Sequence, residues 1–146
     1  MRNLIFGILS IAGLVSFGCG GQSAPSTVHG QVRLDGVPLA GAKVEFFPVG
    51  GGNSSVALTD AGGNYSLVQS AEVSGAEPGN YTVSISKFEQ RPVPGGEPDE
   101  MQEFAILPAV YNEESTIQRT LVKGTNELNF SLTSSGTPVP DESSKQ

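Results

Sequence analysis

The chain has 146 residues, with 8 basic and 15 acidic side chains, a formal net charge of −7 and one cysteine, Cys19. An acidic chain of this kind lacks the basic face that nucleic acid or an anionic lipid surface demands, so both are excluded as electrostatic partners. The length suits one domain. A single cysteine leaves no disulfide framework, and a single histidine, His29, leaves no zinc cluster.

The first element is an export signal. Arg2 is followed by an uncharged, mainly apolar run from Leu4 to Phe17. As a helix it would span about 21 Å at about 1.5 Å per residue, short of the roughly 30 Å hydrocarbon core of a membrane. A basic flank and a short apolar run together predict a helical signal peptide over 1–18. Gly18-Cys19-Gly20-Gly21 closes it and resembles the lipobox of bacterial lipoproteins, although Ser16 and Phe17 stand where leucine and a small residue are usual. The resemblance implies lipidation of Cys19 and cleavage before it. Losing the one positive charge of Arg2 takes the net charge from −7 to −8. Lipidation also removes the only thiol before it reaches an oxidising compartment. Residues 19–26 are then the lipidated cysteine and a flexible tether. The seven residues Gly20–Ser26 have a reach of roughly 15 Å.

From Thr27 the pattern is β. Val28, Gly30, Val32 and Leu34 alternate with His29, Gln31 and Arg33, and Asp35-Gly36 signals a turn. Val44, Phe46 and Pro48 alternate in a second strand, and Gly50–Asn53 is a glycine-rich loop. Ser55–Thr59 is a short third strand. The turn Asp60–Asn64 leads into a fourth at Tyr65–Leu67. Pro78-Gly79 fits a type II turn. A fifth strand follows, with Tyr81, Val83 and Ile85 on one face and Thr82, Ser84 and Ser86 on the other. An irregular stretch, 88–115, holds four prolines and an apolar segment, Phe104–Tyr111, expected to pack back on the sandwich. Thr116–Val122 and Glu127–Leu132 complete seven strands, joined by a turn at Gly124–Asn126. The Ser/Pro/charge-rich 134–146 is expected to be disordered. The expectation is therefore an all-β, seven-stranded antiparallel sandwich over 27–133.

The run Gly30–Phe46 resembles the opening of carboxypeptidase regulatory-like domains, a transthyretin-like sandwich superfamily related in shape to immunoglobulin folds. Thr59-Asp60 with Gly63–Tyr65, and Pro78–Val83, resemble that family's later signatures, so the resemblance covers Val28 to about Lys87. It implies a prealbumin-like fold, and fold does not carry function.

Chemistry is sparse. His29 falls on the outward phase of the first strand. The Asp60–Asn64 turn places oxygens at alternate positions but lacks the downstream glutamate of an EF-hand loop. Glu113-Glu114 and Asp99-Glu100 are adjacent pairs, and neighbours on a strand point to opposite faces, so neither pair alone can flank a sugar. Gly50–Asn53 lacks the Lys-Ser/Thr of a phosphate loop. No catalytic, cofactor-binding or metal-binding residue is assigned, no cofactor is expected, and the one modified position is Cys19. The expected function is a lipid-anchored envelope module, non-catalytic, with a structural role or a protein or saccharide partner. The outer membrane is favoured because Gly20, not Asp, follows Cys19. The alternatives are a small-ligand carrier of transthyretin type and an enzyme with an unfamiliar carboxylate site. The 88–115 stretch is either a binding surface or packed core.

Overall fold

A computed structural model describes residues 25–139. The expected signal peptide, Cys19 and most of the expected tether fall outside them, as do residues 140–146.

The long strand β1 (Thr27–Leu34) is the spine of the first sheet. Asp35 and Gly36 both take positive φ, 50° and 82°. They form a two-residue reversal that pairs β2 (Val37–Pro38) back on β1, the geometry in which Asp-Gly is favoured. β3 (Lys43–Pro48), β4 (Ser55–Leu58) and β5 (Asn64–Ser66) follow, and β5 returns antiparallel to β1. β6 (Gly79–Ser86) runs after a short break into β7 (Phe88–Pro92), which pairs with β8 (Met101–Ala105). One turn of 3-10 helix, Ala109–Tyr111, precedes β9 (Ile117–Leu121), β10 (Thr125–Glu127) and β11 (Phe130–Leu132).

The protein is all-β. One sheet gathers β10, β11, β5 and β2 around β1, and the other has the order β4-β3-β6-β9, antiparallel throughout. The first sheet departs from the antiparallel expectation, because β10 and β11 run parallel to β1. The turn expected at Gly124–Asn126 is instead a bend at Lys123-Gly124, because Thr125 and Asn126 already pair with Thr27 and Val28 as part of β10. Eleven short strands among the described residues replace the expected seven. Most of the excess comes from two places, the β7–β8 hairpin and the division of 125–132.

That division is local. Val28 faces Asn126 and Val32 faces Phe130, the same offset on either side of the gap. At the gap Leu128 N–H still donates to His29 C=O at 2.9 Å. The Gln31 N–H turns to the Asn129 side-chain oxygen at 2.8 Å, and the Leu128 carbonyl is taken by the Tyr65 hydroxyl at 2.7 Å. Side chains thus replace ladder bonds, as buried backbone groups require. The approach is so close that a Cβ on Gly30 would collide with the Leu128 carbonyl oxygen. Gly79 is not the third residue of a type II turn. Its φ is 154°, far from the roughly +80° that turn needs, because it already pairs with Leu121 at the start of β6.

The two sheets face each other across an apolar layer. Val28, Val32, Tyr65, Phe130 and Leu132 meet Val44, Phe46, Val83, Ile85, Ile117 and Leu121. Full burial of side chains this size is worth about 1.5–3 kcal/mol each. Phe46 and Phe130 meet edge-on at 6.3 Å between the sheets, a favoured aromatic geometry. On β9 the inward position between Ile117 and Leu121 is Arg119, only 3% exposed. Its guanidinium lies 5.1 Å from the centre of the Phe130 ring and donates to the Gln118 carbonyl at 2.7 Å.

The motif residues of the β2–β5 region are structural. The buried Thr59 hydroxyl donates to the Leu39 carbonyl and accepts the Ala42 N–H, fixing the loop before β3. Ser134–Val139, assigned by composition to a disordered tail, are held. The Tyr111 hydroxyl donates to the Thr137 carbonyl at 2.6 Å and accepts the Thr133 N–H at 3.0 Å, while Ser134 N–H reaches the Asp35 carboxylate. Val139 packs on the core.

Candidate functional site: a groove on the outer sheet face

The outer face of the four-stranded sheet carries the outward phase of β3 and β6. Register places Phe47 beside Thr82, Glu45 beside Ser84, and Lys43 beside Ser86. Past Ser86 the chain continues into the β7–β8 hairpin, and the segment Leu107–Ser115 runs back over the sheet. These three parts enclose an open groove of about 590 Å³, within the size range of ligand sites. Thr82, Ser84 and Ser86 form its floor, Phe47, Phe88 and Ala105 contribute apolar walls, and Asn112, Glu113 and Ser115 contribute polar groups from the returning segment.

The returning segment is anchored at two points. Leu107 and Tyr111 are buried in the core, and Leu107 also lines the groove together with Ala105 and Ala109. The apolar run Phe104–Tyr111 is thus core on one side and groove wall on the other. Asn112 donates from its amide to the Leu107 and Pro108 carbonyls, and its oxygen accepts the Glu113 N–H at 2.6 Å. The Ser115 hydroxyl donates to the Val83 carbonyl. The Thr82 hydroxyl accepts from Gln118 at 3.0 Å. Ser84 and Ser86 make no side-chain hydrogen bond among the described residues, and Glu113 enters no ion pair there. These three groups are the groove's uncommitted polar chemistry.

The hairpin extends the same surface. Phe88 faces Ala105, Gln90 faces Glu103, and Pro92 faces Met101. Alternate residues of a strand share a face, so this row continues the groove wall outward. Phe88 is 54% exposed and Met101 51%. Glu89, on the opposite face, pairs with Arg91 at 2.9 Å and lies 3.9 Å from Lys87.

The residues weighed in the sequence fall elsewhere. His29 is half-buried in β1 opposite Ser66. Asp60 caps its turn: one carboxylate oxygen accepts the Gly62 and Asn64 N–H groups, each at 2.9 Å, and the Asn64 side chain adds a third bond. The Asn64 backbone bond is the largest cause holding the Asp60 carboxyl below its usual range, with desolvation opposing it. Of the two carboxylate pairs, only Glu113 reaches the groove, while Glu100 sits beyond the hairpin strands, where its side chain accepts the Glu97 N–H. Among the described residues no three His, Cys, Asp or Glu side chains gather as a metal site. No helix among them is long and apolar enough to cross a membrane. Cys19 lies outside them.

The groove was only half visible in the sequence. The alternation on β6 sets Thr82, Ser84 and Ser86 outward, but nothing in it says that residues 88–105 form a wall.

No family model and no curated protein matches the chain. Among solved structures there is a likeness to a DUF3823 family protein from Parabacteroides merdae, at 13% identity and a TM-score of 0.38. It covers 75% of this chain and 46% of that one.

Proposed function

We propose that this chain is a lipid-anchored envelope lipoprotein whose β domain is a non-catalytic binding module, and that the groove over β6 is its binding surface. The observation that carries the reading is the groove itself. It is built on the outer side of a sheet and shares only Leu107 with the core, and its free chemistry is hydroxyls, phenyl rings and one carboxylate. Paired carboxylates that cleave a sugar stand about 5–10 Å apart across the substrate, and the single carboxylate in the groove lining, Glu113, suits holding a ligand better than transforming one. The signal-peptide pattern and Cys19 support the anchor, and two or more acyl chains would make it durable. The likeness of Gly30–Phe46 and Pro78–Val83 to carboxypeptidase regulatory-like domains supports a module that presents a surface.

Two measurements test this. A photo-crosslinking residue at position 88, in cells, is expected to yield a defined adduct that the same residue at Val37, an exposed site on β2, does not. Equal labelling at both, or none at 88, rejects the groove. Acyl labelling and intact mass test the anchor. Cys19→Ala is expected to lose the label and to keep the unprocessed mass, because cleavage before an acylated cysteine requires the acylation. A Cys19→Ala protein that is still cleaved at the same position, or a wild-type protein that takes up no acyl label, rejects it.

A further inference from the structure

The groove's charge and spacing define an occupant more closely. This rests on the reading of the groove as a binding surface. The acidic side chains on the groove face are uncompensated. Glu113 lies in the lining, Glu103 follows on the hairpin row, and neither enters an ion pair among the described residues. Glu97, Asp99 and Glu100 add charge at the hairpin tip. No lysine or arginine lines the groove. The nearby cations are engaged: Lys43 with Glu45 at 2.8 Å, and Arg91 with Glu89 at 2.9 Å on the hairpin's other face. Low-dielectric walls strengthen such a one-signed field.

The floor has its own period. Thr82, Ser84 and Ser86 repeat every second residue of β6, about 6.6–6.8 Å apart at strand rise. An extended polypeptide repeats its side chains and backbone groups at that same interval. The two phenyl rings, Phe47 at 42% exposure and Phe88, offer faces to a cation or an aliphatic stem. A neutral saccharide would match the hydroxyls and could donate to a carboxylate, but it brings no positive charge to offset Glu113 and Glu103.

We propose that the groove binds an extended polypeptide segment bearing lysine or arginine, laid along β6, with its cationic groups beside Glu113 and Glu103 and its stems against Phe88 and Phe47. The partner is thus a protein with a basic, extended stretch within reach of the anchored domain.

The test uses the full-length protein in non-ionic detergent. The probe is a labelled nonapeptide of alternating serine and lysine with a central leucine, read by fluorescence anisotropy. Its counterparts carry glutamate for lysine, and a β-1,4-linked N-acetylglucosamine tetramer is the saccharide arm. The lysine peptide is expected to bind at least about 10-fold tighter than the glutamate peptide and to weaken as salt shortens the screening length. Glu113→Gln and Glu103→Gln should each weaken it by up to about 5-fold, and Phe88→Ala by about 2–5-fold, with Val37→Ala unchanged. All four sites are exposed, so the fold is expected to persist. Should Phe88→Ala unfold, the glutamine variants decide. Equal binding of the two peptides, no binding of either, or tetramer binding that depends on Phe88 overturns the proposal. If the adduct at position 88 persists in that case, the groove still binds and only its occupant was misassigned. If the adduct is also missing, the groove reading itself fails.

Discussion

Three residues carry more of the fold than their size suggests. Gly30 sits where Leu128 crosses β1, and any Cβ there must displace backbone. Gly30→Ala is expected to cost about 1–3 kcal/mol, as overpacking does, and urea denaturation will measure it. Tyr65 lies across the same crossing, its hydroxyl bonded to the Leu128 carbonyl. Removing that hydroxyl in Tyr65→Phe takes the bond from a part-buried acceptor, a loss of about 0.5–1.5 kcal/mol. Burial pushes the Tyr65 phenol well above its ordinary value of 10.0, Arg119 opposing. The neutral phenol is thus the form the fold prefers. Above pH 10 the unfolded chain ionises first, so stability falls with rising pH, and Tyr65→Phe should flatten that fall. Asp60 works at the other end of the scale. Its carboxyl is depressed below 3.8 by bonds to Asn64 and Gly62, so its contribution is present above that value and is lost as pH drops through the lower folded value. Melting curves of wild type and Asp60→Asn should therefore differ at neutral pH and converge in strong acid.

At the scale of elements, the β7–β8 hairpin is the least supported part of the fold. A two-stranded ribbon is marginal by itself, and its residues are largely exposed. Replacing residues 90–103 by a Gly-Ser loop is expected to leave the thermal midpoint within a few degrees of wild type, while abolishing peptide binding. A collapse of the midpoint would instead show that the hairpin stabilises the sheets. This is also where the sequence was hardest to read. Strands with one dry face announce themselves, as Val44/Phe46 and Tyr81/Val83/Ile85 do. Phe88–Pro92 and Met101–Ala105 bury neither face fully, so no two-residue alternation marks them, and the prolines between suggest a loop. Leu128-Asn129 failed differently: the strand through 127–132 was legible, but the side-chain bonds that interrupt its ladder depend on Tyr65 and Gln31, distant in sequence. The parallel sense of its pairing was illegible for the same reason, since alternation reveals a strand's faces and never its neighbour's direction.

For the whole molecule, the arrangement of layers separates stability from recognition. The apolar residues of both sheets point between them, and the groove uses the outward phase of β3 and β6. Substitutions on that face can retune a ligand at little cost to the core, as surface changes usually cost within about 0.5 kcal/mol. The inward phase has no such freedom. Phe46, Phe130 and Arg119 meet at the centre and are expected to act non-additively in double-mutant cycles.

The pairing of β1 with β10 and β11 has a temporal meaning. Val28 waits for Asn126, and Val32 for Phe130. The spine of one sheet is among the first parts of the domain to be synthesised, and its parallel neighbours are among the last. Contacts of such long sequence separation must close most of the chain before they are rewarded. A truncated chain ending at Lys123 is expected to stay unfolded by circular dichroism and to be digested rapidly, whereas a chain that includes β10 and β11 resists digestion. Delay of this kind leaves the first strand made without its partners until the last strands of the domain exist.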